Sequence, residues 1–291
     1  MEKHNVCVIG GMNFAVISKI DGELRNDSSI IGEIKVRFGG VARNIILNLV
    51  KFDDIKIDFI TVLSRDKMGE LAKDELKTFG VDYSRSLFME KWESFYCETI
   101  TGSGHYGVND MKLIAQLKPD YIKTLKTYIE SHDMVVLDCN LNQDTLEYIA
   151  SNIDIPIVCD ATSDQKCRRV INVLEHIDIV KMNDHEAYIL LGIPPEKTPN
   201  IDSLKTALQK LPLVSCYVTL GKSGAFYLSG KDYCYHKPNK EIDAKNVLGA
   251  GDSFTAGIIE GALNRMSIDS VLALCNDMAE KTLMQNNISG S

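Results

Sequence analysis

The sequence predicts a doubly wound α/β fold, read as one main domain over residues 1–291 with a small discontinuous β-lid at about residues 14–38 and 87–109. Three observations predict it. Short β-rich apolar runs recur with amphipathic stretches between them, the pattern of parallel strands buried on both faces and covered by crossover helices. Several of those runs end in polar residues, and in open α/β sheets the ligand crevice lies outside the carboxyl ends of the strands. Two stretches break the alternation and read as strands and turns with no crossover helix.

The first run, "VCVIGG", is a buried strand that leads to Asn13. From about Phe14 to Phe38 the helical period is missing, which gives the first half of the lid. "FGGVARNIILNLVKF" places the pair Gly39 and Gly40 before an amphipathic helix, with Asn44 on its first turns. Asn44 there reads either as a sugar-hydroxyl ligand or as an exposed residue after a glycine turn. "IDFITVL" is the next strand. The second half of the lid follows, where "SFYCETITGSGHYG" alternates around a glycine-rich turn. Its Gly102, Gly104 and Gly107 satisfy GxGxxG, but a dinucleotide fingerprint follows a buried strand and opens a helix, so a hairpin tip is the better reading.

"DMVVLDCN" carries Asp138 and Asn140 at its end, "IPIVCDA" leads to Asp160 and Ser163, and "DIVKMN" ends at Asn183. Glu186 lies three residues beyond Asn183, on the same helix face, so the pair could cap the helix or hold Mg²⁺ through water. "CYVTLG" precedes Gly221-Lys222-Ser223, which resembles the end of a P-loop; the earlier glycine would fall at Cys216, and this excludes Walker-type chemistry. The last element is "KNVLGAGDSFTAGIIEGAL". Gly249 and Gly251 allow a tight turn whose N–H groups converge, and the following helix adds its positive end, so the turn should bind an anion. Asp252 is then a capping carboxylate or a general base, and the spacing leaves both open.

A net charge of −8 argues against electrostatic binding to nucleic acid or an anionic membrane. The eight cysteines form no CxxC pair and several lie in apolar runs, which suits reduced, buried thiols rather than disulfides or zinc ligands. The apolar run at the start is too short for a signal peptide and no later segment approaches the apolar length needed to span a membrane, so a cytoplasmic location is expected.

The elements "CVIGGMN", "GGVARNI", "LSRDKMGE", "KMNDHEA", "VTLGKSG" and "NVLGAGDSFTAG" resemble, in order and over nearly the whole chain, the PfkB/ribokinase family of carbohydrate kinases. The resemblance implies a ribokinase-like three-layer αβα fold with a mainly parallel central sheet. It implies that a substrate hydroxyl attacks the γ-phosphate of ATP, with Asp252 accepting the proton and the N–H groups of Gly249, Ala250 and Gly251 stabilising the transferred group. ATP would lie along Thr219, Gly221 and Gly224, with Asn183 and Glu186 organising Mg²⁺, and a K⁺ site is left open at Asn246. The substrate would meet Asn13, Gly39, Gly40, Asn44, Asp110, Asp138, Asn140 and Lys166. Within the family, "GGVARNI", "NDM", "LDCNL" and "DATSDQK" resemble the branch that phosphorylates pseudouridine at its 5′-hydroxyl. The alternatives are a kinase for ribose, adenosine or a fructose phosphate, and a catalytically weak ligand-binding homologue. The expected partners are the nucleoside or sugar and ATP, with a homodimer through the lid and neither nucleic acid nor membrane.

Two residues depart from the family pattern. Ala15 stands where an aspartate usually grips sugar hydroxyls. Losing a charged hydrogen bond of roughly 1.5–3 kcal/mol would weaken sugar binding about ten- to a hundredfold unless Asp21 or Asp110 replaces it. Leu248 replaces a small hydroxylated residue before the GAGD turn and removes a hydroxyl ligand.

Overall fold

The computed structural model describes residues 3–288 except 21, 25, 28, 103, 197–198, 239, 241 and 243–246. Its strands are β1 (His4–Ile9), β2 (Asn13–Ile20), β3 (Gly32–Gly39), β4 (Ile55–Ile60), β5 (Val62–Ser64), β6 (Leu87–Met89), β7 (Ser94–Ile100), β8 (His105–Met111), β9 (Met134–Asp138), β10 (Ile157–Asp160), β11 (Ile179–Asn183), β12 (Cys216–Thr219), β13 (Ala225–Ser229) and β14 (Asp232–His236). The helices are α1 (Val41–Leu49), α2 (Lys67–Thr78), α3 (Pro119–Thr124), α4 (Lys126–Ile129), α5 (Gln143–Asn152), α6 (Asp184–Leu191), α7 (Ile201–Leu208), α8 (Ala250–Leu263) and α9 (Ile268–Ile288).

The central sheet runs β14-β13-β12-β11-β10-β9-β1-β4. It is parallel from β12 to β4, with β13 and β14 added antiparallel at one edge. β9 and β10 are buried at every position because helices cover both faces, which is why they read as unbroken apolar runs. Helices α1, α8 and α9 pack together in one layer, and α3, α5, α6 and α7 belong to the other. The architecture is ribokinase-like α/β. Chain order reverses at β1, which lies between β4 and β9, so the crevice beyond β1 and β9 is a topological switch point.

A second sheet, β3-β2-β7-β8, stands over that crevice. β2 and β7 are parallel, and the outer pairs are antiparallel. Register puts Ala15 opposite Arg37 and Tyr96, and Tyr96 opposite Asn109, so these four share one face. Val16, Val36, Cys97 and Val108 share the other. Residues 87–89 belong elsewhere: β6 pairs with β5, and half-buried Leu87, Phe88 and Met89 pack on the main core. β7 and β8 pair antiparallel from Ile100 opposite His105, with Gly107 inside β8; residue 103 of the glycine-rich stretch lies outside the described residues. All eight cysteines are unpaired and six are buried. No helix among the described residues is long and apolar enough to cross a membrane.

Candidate active site

The N-terminus of α8 enters the crevice uncapped. Gly249, its N-cap, has φ +79°, the left-handed conformation that glycine adopts without steric cost, and it has no side chain to cap the first turn. The Ala250 N–H turns back to the Val247 carbonyl at 3.3 Å. The N–H groups of Gly251 and Asp252 have no backbone acceptor among the described residues, so these two, rather than that of Ala250, are open to an anion.

Asp252 does not cap the helix. Its Oδ2 accepts from Asn44 Nδ2 at 2.7 Å, tying the first turn of α8 to the first turn of α1. The carboxyl is buried, and burial with nearby Asp160 pushes its pKa up to about 7, against the opposing pull of Asn44 and Lys181. A carboxyl that titrates near neutrality and can be ionised beside its partners is suited to taking a proton from a hydroxyl.

Lys181 was not foreseen. It lies on β11, 6% exposed, with Nζ 3.2 Å from Asp160 Oδ2. Asp160 also accepts from Thr255 Oγ1 at 2.6 Å and from the Thr162 N–H at 2.8 Å. Burial opposes the ammonium charge, but Asp160, Glu186 and Asp252 outweigh it and hold the pKa above the ordinary lysine value. A Cβ on Gly251 would stand 2.8 Å from this nitrogen, so the glycine lets the turn rest directly on a cation. The available sequence signal was a lysine inside an otherwise buried parallel strand, where lysine is rare unless paired.

The opposite wall is built from two glycine turns. Gly40 has φ +105°, and a Cβ there would meet the Gly11 carbonyl oxygen at 2.4 Å. Asp138 fastens this wall from behind: its Oδ2 accepts from the N–H groups of Gly11 at 3.0 Å and Ala42 at 2.9 Å, and from Asn140 Nδ2 at 2.9 Å. It is fully buried, and burial raises its pKa. Asp138 therefore positions Asn140 and the turns, and it does not line the cavity. Asn140 in turn accepts from Lys166 Nζ at 2.6 Å, and burial lowers the pKa of that lysine.

These elements enclose a cavity of about 350 Å³. Asn13, Gly39, Gly40, Asn44, Asn140, Lys166, Gly249 and Asp252 line it together. Arg37, Tyr96 and Asn109 reach it from the overlying sheet, and Thr162 and Ser163 from the end of β10. Thr162 has φ +69°, an uncommon conformation for a β-branched residue. Asp110 is outside: it neighbours Asn109 on β8, so alternation turns it to the other face, where it pairs with Lys112 at 2.9 Å.

The remaining candidates lie along the rim at β11 and β12. Asn183 and Thr219 are register partners at the ends of those strands. Asn183 and Glu186 form a reciprocal capping box, Glu186 Oε2 accepting from the Asn183 N–H and Asn183 Oδ1 from the Glu186 N–H, each at 2.8 Å. Burial raises the Glu186 pKa to about 7. Gly221 and Gly224 flank a 3-10 turn, both at positive φ, and a Cβ on Gly224 would meet the His236 carbonyl at 2.2 Å. Gly224 is thus demanded by backbone packing. Asn246 and Asp21 lie outside the described residues.

Comparison with known proteins places this geometry. Residues 3–289 match the model of the pfkB family carbohydrate kinases. Pseudouridine kinase of Escherichia coli is 26% identical over 295 residues, covering 98% of this chain and 93% of that protein. Among solved structures, a carbohydrate kinase from Agrobacterium tumefaciens superposes with a TM-score of 0.80 at 23% identity, covering 95% of this chain and 89% of the other. Arabidopsis thaliana ribokinase complexed with ribose and ATP gives a TM-score of 0.78 at 19% identity, covering 96% and 92%.

Proposed function

Because this chain belongs to the pfkB family of carbohydrate kinases, phosphotransferases with an alcohol acceptor, we propose that it phosphorylates the 5′-hydroxyl of pseudouridine with ATP. The observation that carries the catalytic part is the Asp252 carboxylate, held by Asn44 at the uncapped head of α8 inside the cavity. The substrate part draws on the "GGVARNI" variant and on the full-length similarity to the Escherichia coli enzyme.

Kinases of this family use ATP, which supplies the phosphoryl group, with Mg²⁺, which would offset its charge. In the proposed mechanism Asp252 accepts the proton of the substrate hydroxyl, a contribution of roughly 10² to 10⁴-fold. Asn44 fixes the carboxylate's orientation. The N–H groups of Gly251 and Asp252 face charge that develops on the transferred group, and the Lys181 ammonium lies behind them. The capping box uses one Glu186 oxygen, and a carboxylate retains further lone pairs, so Glu186 Oε1 is the group that would hold Mg²⁺ through water. Asn13, Asn140 and Lys166 bind and orient the substrate, while the four-stranded sheet excludes water that would otherwise hydrolyse ATP. Asn183, Thr219 and Gly221 supply the nucleotide side of the rim.

The outer face of that sheet leaves Val36 59% and Val108 72% exposed, which supports a homodimer formed through it. The protein acts in the cytoplasm on this reading. A second reading, a kinase for an anionic sugar such as a fructose phosphate, draws on Arg37 beside Ala15. A binding-only role conflicts with the complete base and anion turn.

ATP turnover with Mg²⁺ and pseudouridine, uridine, adenosine or ribose tests the proposal, each compound alongside Asp252→Asn. Pseudouridine-dependent turnover lost in the variant supports it; preference for another acceptor rejects the substrate and keeps the chemistry.

A further inference from the structure

The part of the overlying sheet that faces the cavity contributes Ala15, Ile17, Arg37, Tyr96 and Asn109 to its lining. Buried Glu98 shares that face, opposite Ile17, but is not among the lining residues. Arg37 and Ala15 are direct cross-strand partners, so a guanidinium stands beside a methyl group that offers it nothing. Among the described residues Arg37 has no hydrogen-bond or ion-pair partner. Burial and nearby Arg43 lower its pKa, with Glu98 opposing them, but a guanidinium remains charged under all working conditions. Across the cavity Lys166 adds a second cation. Asp252, the only lining carboxylate among the described residues, is bonded to Asn44.

A guanidinium only donates hydrogen bonds, and a carboxylate only accepts them. A pocket that gripped a plain sugar at this point would need acceptors for its hydroxyl protons. At Arg37 this one presents five N–H donors and a charge, while acceptors such as Asn13 Oδ1 lie elsewhere in the lining. A hydroxyl oxygen can accept from the guanidinium, but a carbonyl or anionic oxygen is the stronger acceptor for a charged donor, so an occupant that brings one is favoured.

We propose that Arg37 is a specificity-determining residue that donates to an acceptor oxygen on the substrate, at the end remote from the hydroxyl phosphorylated at Asp252. That oxygen belongs to a group with negative or carbonyl character. A pyrimidine-dione base provides it as a neutral carbonyl, and a sugar phosphate provides it as an anion. Arg37 thereby favours such substrates over those that bear only hydroxyls. The inference rests on the kinase reading of this cavity, while its test separates the two.

The experiment compares two pairs of acceptors in the full-length protein with MgATP: pseudouridine against ribose, and fructose 6-phosphate against fructose. Steady-state kinetics are measured for wild type, Arg37→Met and Arg37→Lys, and the same compounds are titrated calorimetrically without ATP, which gives affinities independent of turnover. Arg37 is itself exposed on the cavity side of β3, and the thermal midpoint of each variant checks that the fold is kept. Arg37→Met should raise KM and Kd about ten- to a hundredfold for the acceptor-bearing member of the pair that binds. It should leave the comparator within about twofold, kcat within about threefold and the KM for ATP unchanged. Arg37→Lys should recover part of the loss. Response of the pseudouridine pair identifies a base carbonyl, and response of the fructose pair identifies an anion and rejects the pseudouridine reading alone. Affinities in Arg37→Met equal to wild type for every compound would overturn the proposal.

Discussion

Asn44 donates its side-chain amide to the Asp252 carboxylate at 2.7 Å, across 208 residues of sequence, and so couples the two glycine turns that form the cavity. One helix start carries the proposed base and the other carries the amide that orients it.

Asp252→Asn should lower kcat by roughly 10² to 10⁴-fold. Because the buried carboxyl is pushed up to about 7 and must be ionised to accept a proton, wild-type kcat should fall about tenfold per pH unit on the acid side of pH 7. A pH–rate profile of wild type showing no such limb would reject Asp252 as the base.

The same carboxyl makes a stability prediction of opposite sense. Its folded pKa lies above the ordinary 3.8, so between about pH 4 and 7 the native state keeps a proton that the unfolded state releases, and stability declines as pH rises through that window. The difference amounts to up to about 4 kcal/mol, at about 1.36 kcal/mol per unit. Asp252→Asn should therefore be at least as stable as wild type at pH 8, with a shallower decline from pH 5. Urea midpoints at the two values measure this.

Asn44→Leu removes a hydrogen bond that pulls the Asp252 pKa down. The acid limb of kcat should move to higher pH, and part of the lost rate should return at alkaline pH. A uniform loss at every pH would instead mean that Asn44 acts on substrate alone.

Gly40→Ala should destabilise by about 1–3 kcal/mol and abolish most turnover, since φ +105° is strained for alanine and its methyl would strike backbone at 2.4 Å. Gly251→Ala meets only the movable end of Lys181, so its effect should fall on kcat more than on the urea midpoint.

Far from the cavity, His132 Nε2 contacts Asp58 Oδ2 at 2.9 Å, and the Tyr128 hydroxyl donates to the same oxygen at 2.6 Å. Burial opposes both charges, yet their mutual contact raises the His132 pKa and lowers that of Asp58. The histidine's contribution is complete below pH 6.5 and is lost as pH rises through its folded value, whereas that of Asp58 is present above 3.8 and is lost in acid. His132→Ala should cost about 3–5 kcal/mol and flatten the alkaline decline, with every KM unchanged.

The site was legible where local spacing determines it. Glycines before Asp252 and before Asn44 mark turns whatever surrounds them, and the strand-end residues Asn13, Asn140 and Asn183 follow from α/β topology. Lys181, Arg37 and Tyr96 were not legible, because their importance depends on which strands meet. Asp110 shows the cost of an unknown phase: alternation was visible in the lid strands, but the sequence did not say which of Asn109 and Asp110 faces inward. Asp138 was placed at the right strand end and acts there as a brace for backbone, a role that its residue type could not distinguish from ligand binding.

The strict alternation of the four-stranded sheet makes parity an address. On β3, residues 35 and 37 look toward the crevice, while 34 and 36 look away; on β8 the crevice side again has odd numbers, and on β7 it has even ones. The residues proposed to choose the acceptor and those proposed to pair two copies thus occupy interleaved positions of the same strands, so substitutions can alter one set without touching the other. A library confined to residues 15, 37, 96 and 109 would explore new acceptors on an unaltered outer surface.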